Sequence, residues 1–549
     1  MSLFHKGGRK AGMLFQTCLL ACTLGILVML STASPAAAAT TTTAASSGCN
    51  CPVTPQEAQS PKTQMRAVWV ATVNNIDWPT ATGEPIAEQQ QQFITLLDKV
   101  QQMHMNTVVV QVRPSADALY PSKLFPWSQY LTGVQGQDPG YDPLAFMIKE
   151  AHARNIQFQA WFNPYRVSLQ SDITRLAPNN PARLHPDWVI KYGSQLYFNP
   201  GIPAVREYIT KGIMEVVNNY DVDGIHFDDY FYPYPIAGQT FADQATFQQY
   251  GQDFSNISDW RRDNVNQLVK GVHDAIKAAK PYVSFGISPF GVWRNQSTDP
   301  TGSATTAGVQ DYDDLYADTR TWIKNNWIDY ITPQIYWNIG FAPAAYDVLV
   351  PWWAHEVEGT HVQLYIGMAV YKIGLAGQPA AWQDPNQMPD QLAFDAKYPE
   401  VQGNMYFSMK ELFQNPLGFT DDLSNNIYKQ PALVPSVYSR QAHPSHQVRL
   451  YDAEQTSAGV QLSWSDFPPG DTTSYAIYRF DEKIDANQCD FQNGQNLLAT
   501  VARVDGNDMQ SFTDTSAVPG QTYTYYVTAL NHYNVESKPG KGLTVGGSD

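Results

Sequence analysis

The sequence predicts an α/β chain, a (β/α)8 TIM barrel followed by a small all-β sandwich. Three observations carry this. From Met65 onwards, short apolar runs of strand character alternate eight times with stretches of helical character. The turn after the first run, Val73-Asn74-Asn75-Ile76-Asp77-Trp78-Pro79, has none of the glycines that open a nucleotide-binding open sheet. After Leu433-Val434-Pro435 the texture changes to short alternating runs parted by Pro, Gly and Asp turns.

The first strand is predicted over 67–73, with a helix over 87–103. Strand and helix then pair as 107–112 with 143–154, 156–162 with 203–219, 222–227 with 260–280, 283–287 with 313–325, 327–335 with 344–356 and 362–368 with 389–396. A strand over 404–407 opens the eighth unit. Runs at 460–464, 474–480, 497–501 and 522–529 form the sandwich, with Trp464 and Tyr526 as core rings. Ahead of the barrel, a basic segment around Lys6 to Lys10, an apolar stretch from Met13 to Leu30 and an alanine-rich end near Ala39 read as a secretory signal peptide over 1–39. A flexible tether over 40–62, a barrel domain over 63–432 and a sandwich domain over 433–549 complete the expected organisation. The expected location is therefore secreted or associated with the cell wall.

Composition excludes some classes and leaves others. A net charge of -16 with no basic run argues against nucleic acid and anionic membranes as partners. Once Cys18 and Cys22 leave with the signal, Cys49, Cys51 and Cys489 are too few for a disulfide framework.

The fourth strand organises the rest. Val222, Ile225 and Phe227 lead into Asp228-Asp229 and then the ring- and proline-rich Tyr230-Phe231-Tyr232-Pro233-Tyr234-Pro235. Alternation puts Gly224, His226 and Asp228 on one face, so in a barrel Asp228 is the last inward side chain, at the mouth. An isolated acid pair is more often a cap or a solvated loop. Here every strand end carries polar or aromatic residues, which a barrel kept for stability alone does not need. The candidate substrate-binding residues are Trp69, Asn74, Arg113, Asp117, Asn163, Tyr165, Arg166, His226, Tyr230, Trp293, Arg294, Gln334, Tyr336 and Trp337. Rings of this kind stack on the C–H faces of sugars, and amides, arginines and acids meet their hydroxyls. Hydrolysis of a glycosidic bond needs two carboxyl groups, or one and the substrate's own N-acetyl group. Asp117 and Glu411 are reserve acids. No cofactor or nucleotide is called for. His-Phe-Asp-Asp is similar to the acids of zinc polysaccharide deacetylases, but the accompanying His-x-x-x-His is missing.

Several motifs then fall in order: Met65-Arg66-Ala67-Val68-Trp69-Val70, Gln111-Val112-Arg113-Pro114, Trp161-Phe162-Asn163-Pro164-Tyr165-Arg166, Asp223-Gly224-Ile225-His226-Phe227-Asp228-Asp229-Tyr230, Phe285-Gly286-Ile287-Ser288-Pro289-Phe290-Gly291 and Pro333-Gln334-Ile335-Tyr336-Trp337. Over about 65–419 they resemble the glycosyl-hydrolase-like family-10 group, which includes the division-site peptidoglycan glycosidase. The tail resembles a fibronectin type III module. The resemblance implies cleavage of a glycan of N-acetylated sugars, above all peptide-free peptidoglycan strands. The fourth-strand motif is also similar to the family 18 chitinase signature, with Asp228 on its last Asp and Tyr230 where the acid Glu would stand. The adjacent pair resembles family 84 hexosaminidases, where two aspartates share substrate-assisted work. On these grounds Asp228 and Asp229 are the expected catalytic pair. A non-catalytic glycan-binding wall protein and a metal-dependent polysaccharide deacetylase are the alternative readings.

Overall fold

The computed structural model describes residues 60–439, 442–466 and 470–546. The expected signal peptide, nearly all of the tether, and Cys49 and Cys51 lie outside these residues.

Eight parallel strands close a barrel: β1 (Met65–Val70), β2 (Thr107–Arg113), β3 (Gln157–Phe162), β4 (Gly224–Phe227), β5 (Ser284–Ile287), β6 (Tyr330–Ile331), β7 (Gln363–Met368) and β8 (Val401–Tyr406). Each pairs with its neighbours in sequence, and β8 pairs with β1 through Met65 opposite Gly403. The main outer helices are α1 (Ile86–Gln102), α2 (Pro143–Ala153), α3 (Pro203–Asn219), α4 (Ile257–Ala279), α5 (Thr319–Lys324), α6 (Tyr346–Val357), α7 (Gln387–Asp395) and α8 (Met409–Gln414). Their starts follow local chemistry: Asp142 caps the Ala145 amide of α2, and α3 begins at Pro203, where a missing N–H costs nothing.

Alternation along the strands builds two separate cores. Val68, Val70, Val108, Val110, Phe158, Ile225 and Phe227 face outward into the main core. Trp69, Ala71, Val109, Trp161, Tyr330, Tyr365 and Met405 fill the barrel interior. Close approach demands glycine at Gly286, where a Cβ would lie 2.0 Å from the Tyr330 ring.

Within the barrel the structure departs from the expected elements at three places. The sixth strand, expected over 327–335, narrows to Tyr330–Ile331, because Pro333 brings no N–H to the ladder. Single parallel bridges from Gln334 to Phe290 and Gly367 carry the barrel past it. The helix expected over 313–325 breaks into a wide turn, Asp311–Leu315, and α5, with Tyr316 at φ 55° between them. The long β3–α3 connection, for which the sequence pattern predicts no element, folds into an antiparallel sheet of Arg166–Ser168, Gln195–Phe198 and Val189–Tyr192.

Beyond the barrel, β9 (Arg449–Thr456), β10 (Gly459–Ser465) and β13 (Gln510–Asp514) form one antiparallel sheet. The second comprises β11 (Thr472–Phe480), β12 (Leu497–Ala502), β14 (Tyr523–Asn531) and β15 (Leu543–Val545). Both sheets contribute to one core around Trp464, Tyr475 and Val527, while Tyr526 sits in a second cluster with Phe480 and Phe491. β9, β13 and β15 escaped the sequence reading because their faces are largely polar or half-exposed. Cys489 is disulfide-bonded. Among the described residues no helix is long and apolar enough to cross a membrane.

Candidate active site

β4 ends at Phe227, and the chain turns over the barrel mouth at Asp228-Asp229. A cavity of about 260 Å³ opens there, lined by Trp69, Trp161, Arg166, Asp228, Asp229, Tyr230, Tyr234, Gln334, Tyr336, Tyr371 and Phe407 among others. Both aspartates are inside it, 4% and 5% exposed.

Asp228 is held from three sides. Its Oδ2 accepts from Trp161 Nε1 at 3.0 Å and from Asn163 Nδ2 at 3.1 Å, and its Oδ1 accepts from the Tyr230 amide at 3.2 Å. Burial pushes its carboxyl up to about 7 against the pull of Arg166, and the Asp229 charge adds to the rise. Asp229 accepts from the Tyr234 hydroxyl on Oδ2, and the Gln334 side chain hydrogen-bonds to it as well. Burial also raises Asp229, with those hydrogen bonds opposing. Two neighbouring carboxyls so enclosed do not both ionise cheaply, and the pair holds a proton near neutrality.

His226 stands directly beneath. Its Nε2 accepts from Trp69 Nε1 at 3.1 Å, which places the ring proton on Nδ1, 2.8 Å from the Tyr330 hydroxyl. Burial lowers its pKa to about 3, so the imidazole is neutral. Both nitrogens are engaged inside the barrel, and the ring acts as a floor for the acid pair. Among the described residues no cluster of three or more His, Cys, Asp or Glu is placed to hold a metal ion.

Of the expected substrate residues, Trp69, Arg166, Tyr230, Gln334 and Tyr336 line the cavity. Asn163 donates to Asp228 directly, and His226 packs edge-on against Trp161, which donates to the same carboxylate. The others stand elsewhere. Arg113 donates through Nη1 to the Asn163 carbonyl at 2.7 Å and covers the Phe125 ring, bracing the loop after β3. Asp117 is buried and accepts from the Ser115 amide at 3.2 Å, and Tyr165 is fully enclosed. Asn74 is exposed in a left-handed turn. Trp293 stacks on Trp352, with the Arg320 guanidinium 4.4 Å from its ring. Arg294 clasps Asp313 and Asp299. Trp337 packs edge-on against Phe290. The reserve acid Glu411 caps α8 through Ser408. Strand-end position alone cannot separate a side chain aimed into the mouth from one that ties down its own loop.

Tyr234, Trp161, Tyr371 and Phe407 line the cavity without having been in the expected set. For Tyr234 the signal was present, a ring-and-proline loop beginning one residue after the acids. Asp311 had none. It lies in the wide turn before α5, fully buried, and burial together with the Asp229 charge raises its carboxyl well above the usual range.

A closed (β/α)8 barrel with an enclosed carboxyl pair and a ring-lined mouth is a glycoside hydrolase architecture. The glycosyl hydrolase-like 10 family model matches residues 64–384 of the chain. The chain belongs to that family. It is 53% identical over 493 residues to the glycosyl hydrolase YngK of Bacillus subtilis, covering 89% of this chain and 94% of that one. It is 43% identical over 381 residues to the glycosyl hydrolase DigH of Escherichia coli K12, covering 66% of this chain and 86% of that one. Among solved structures, the glycoside hydrolase domain of PgaB (BpsB) from Bordetella bronchiseptica is 13% identical with a TM-score of 0.46, over 66% of this chain and 98% of that one.

Proposed function

We propose that the chain hydrolyses a glycan of N-acetylated sugars, peptide-free peptidoglycan strands above all, with Asp228 and Asp229 as the catalytic pair. The observation that carries this is the enclosure of two adjacent carboxyls, both displaced upward, in one ring-lined cavity.

The hydrogen bonds divide the labour. A carboxylate has about four lone-pair positions, and three of those on Asp228 are taken by Trp161, Asn163 and Tyr230. The one left, on Oδ1, accepts the substrate's acetamide N–H and turns its carbonyl oxygen toward the anomeric carbon. Asp229 is held on Oδ2 by Tyr234 and also by the Gln334 side chain, and on this reading its proton is the one offered to the leaving group. As the acetamide oxygen bonds to the anomeric carbon, the glycosidic C–O bond breaks and the Asp229 proton passes to the departing oxygen. Asp229, now a carboxylate, takes a proton from water as that water opens the cyclic intermediate.

Asp228→Asn and Asp229→Asn are each expected to lower kcat on purified glycan strands by about 100-fold or more. The check is release of new reducing ends, with circular dichroism confirming the fold. Full rate in both variants would sink the assignment. Binding to sacculi without any release by the parent enzyme would favour the wall-binding reading instead.

A further inference from the structure

The cavity contains one basic side chain, and it is only partly used. Arg166 is 6% exposed and, alone among the described buried arginines, lines the cavity: Arg261 pairs with Asp243, while Arg66 and Arg113, each 1% exposed, donate to backbone carbonyls outside it. Arg166 gives Nε and Nη2 to a single acceptor, the Pro114 carbonyl, at 3.0 and 2.8 Å. The Tyr230 ring lies 5.2 Å from the guanidinium carbon and fixes its plane. Among the described residues Nη1 makes no hydrogen bond, and no carboxylate comes within ion-pairing distance, although Asp228 and Asp229 line the same cavity. The end-on edge of the fork, Nη1 with the second hydrogen of Nη2, is therefore left for a ligand. That edge matches the two oxygens of a carboxylate.

We propose that Arg166 receives a carboxylate carried by the bound sugar, so that the enzyme selects strands whose acidic substituent is free over strands in which it is amide-linked or missing. This rests on the reading of the substrate as an N-acetylated glycan. In peptidoglycan the carboxylate is that of the lactyl ether on muramic acid. A peptide stem turns it into a neutral amide with a bulky continuation, which satisfies neither the charge nor the fork. A cation kept only to steady the acid pair would leave the preference between these substrates untouched.

The test measures kcat/KM on four substrates: strands of alternating N-acetylglucosamine and N-acetylmuramic acid, the same strands with the lactyl carboxyl converted to its methylamide, chitin oligosaccharides, and hyaluronan oligosaccharides. The parent enzyme is expected to favour free acid over methylamide by roughly tenfold or more, the scale on which a built polar site rejects an analogue lacking its partner. Arg166→Gln is expected to bring that ratio to about one, and Arg166→Lys to restore part of it. No preference in the parent enzyme, or a ratio unchanged in Arg166→Gln, overturns the proposal while leaving the hydrolase reading intact. Arg166-dependent cleavage of hyaluronan alone places the carboxylate on the ring and keeps the recognition. Cleavage of none of the four overturns substrate reading and proposal together.

Discussion

At the scale of single residues, the site is a problem in how two acids share a proton. Burial sets the level of Asp228 at about 7, and hydrogen bonds tune Asp229 beneath its own burial-driven rise. On the proposed mechanism the active form carries one proton on the pair, so a bell-shaped rate profile is expected, with limbs that belong to the pair. Tyr234→Phe removes the hydroxyl that favours ionised Asp229. The Asp229 proton is then held more tightly, and the alkaline limb moves to higher pH, with kcat at the optimum reduced about tenfold. A pH–rate series on one soluble oligosaccharide checks this, and an alkaline limb that stays put or falls contradicts it. The same shift has a sign in stability. Asp228 titrates near 4 in the unfolded chain and about 7 in the folded one. The folded state is therefore favoured below pH 4, and that advantage drains away between pH 4 and 7. At this scale the sequence was partly readable. Period-two alternation alone placed Asp228 at the mouth above His226. It could not reveal that Tyr234 turns back onto Asp229, since that contact depends on the path of a loop with no periodicity.

At the scale of elements, the barrel interior is tuned so that one strand supports the next. Gly286 on β5 leaves room for the Tyr330 ring of β6, whose hydroxyl lies 2.8 Å from His226 Nδ1. His226 in turn accepts from Trp69 of β1. Gly286→Ala places a methyl 2.0 Å from Tyr330 Cζ and must push the ring aside. The expected cost is on the order of 2–3 kcal/mol of stability, with a fall in kcat as His226 and the floor under Asp228 shift. Thermal denaturation and steady-state kinetics on the same preparation measure both, and an unchanged melting temperature would contradict the packing account. Elements with strong periodicity, such as α3 and β2, were legible almost to their ends. β6 and the turn before α5 were not, because there Pro333 and the left-handed Tyr316 override an apolar pattern. The small sheet after β3 was missed because its strands are three or four residues long. Its first residue is Arg166, so the cation of the cavity is positioned by an element the sequence pattern did not announce.

At the scale of the whole described unit, barrel and sandwich meet at the end of the barrel away from the acids. The contacts come from residues at or just before the strand starts. Gln157 Nε2 donates to Asn534 Oδ1 at 2.8 Å, and Gln363 Nε2 to the Ser436 carbonyl at 2.8 Å. Tyr282 packs on His532 with ring centroids 4.6 Å apart. The acid-lined cavity is at the opposite, carboxyl end of the strands, so the sandwich adds nothing to it and instead closes the barrel floor. Glu536 is the hub of that closure. Its carboxylate pairs with Lys62, just ahead of β1, at 2.6 Å, and accepts from Tyr478 at 2.6 Å and Thr528 at 2.7 Å. Glu536→Ala strands an enclosed lysine and a buried tyrosine hydroxyl together, at an expected cost on the order of 2–4 kcal/mol. Glu536→Gln keeps the acceptor for Tyr478 and falls between. Because the mouth is untouched, kcat on soluble glycan should stay within about twofold at temperatures where the fold holds. Urea denaturation followed by tryptophan fluorescence reads the loss. An unchanged midpoint with unchanged activity would mean that the sandwich hangs from the barrel by its chain and is not clamped to it.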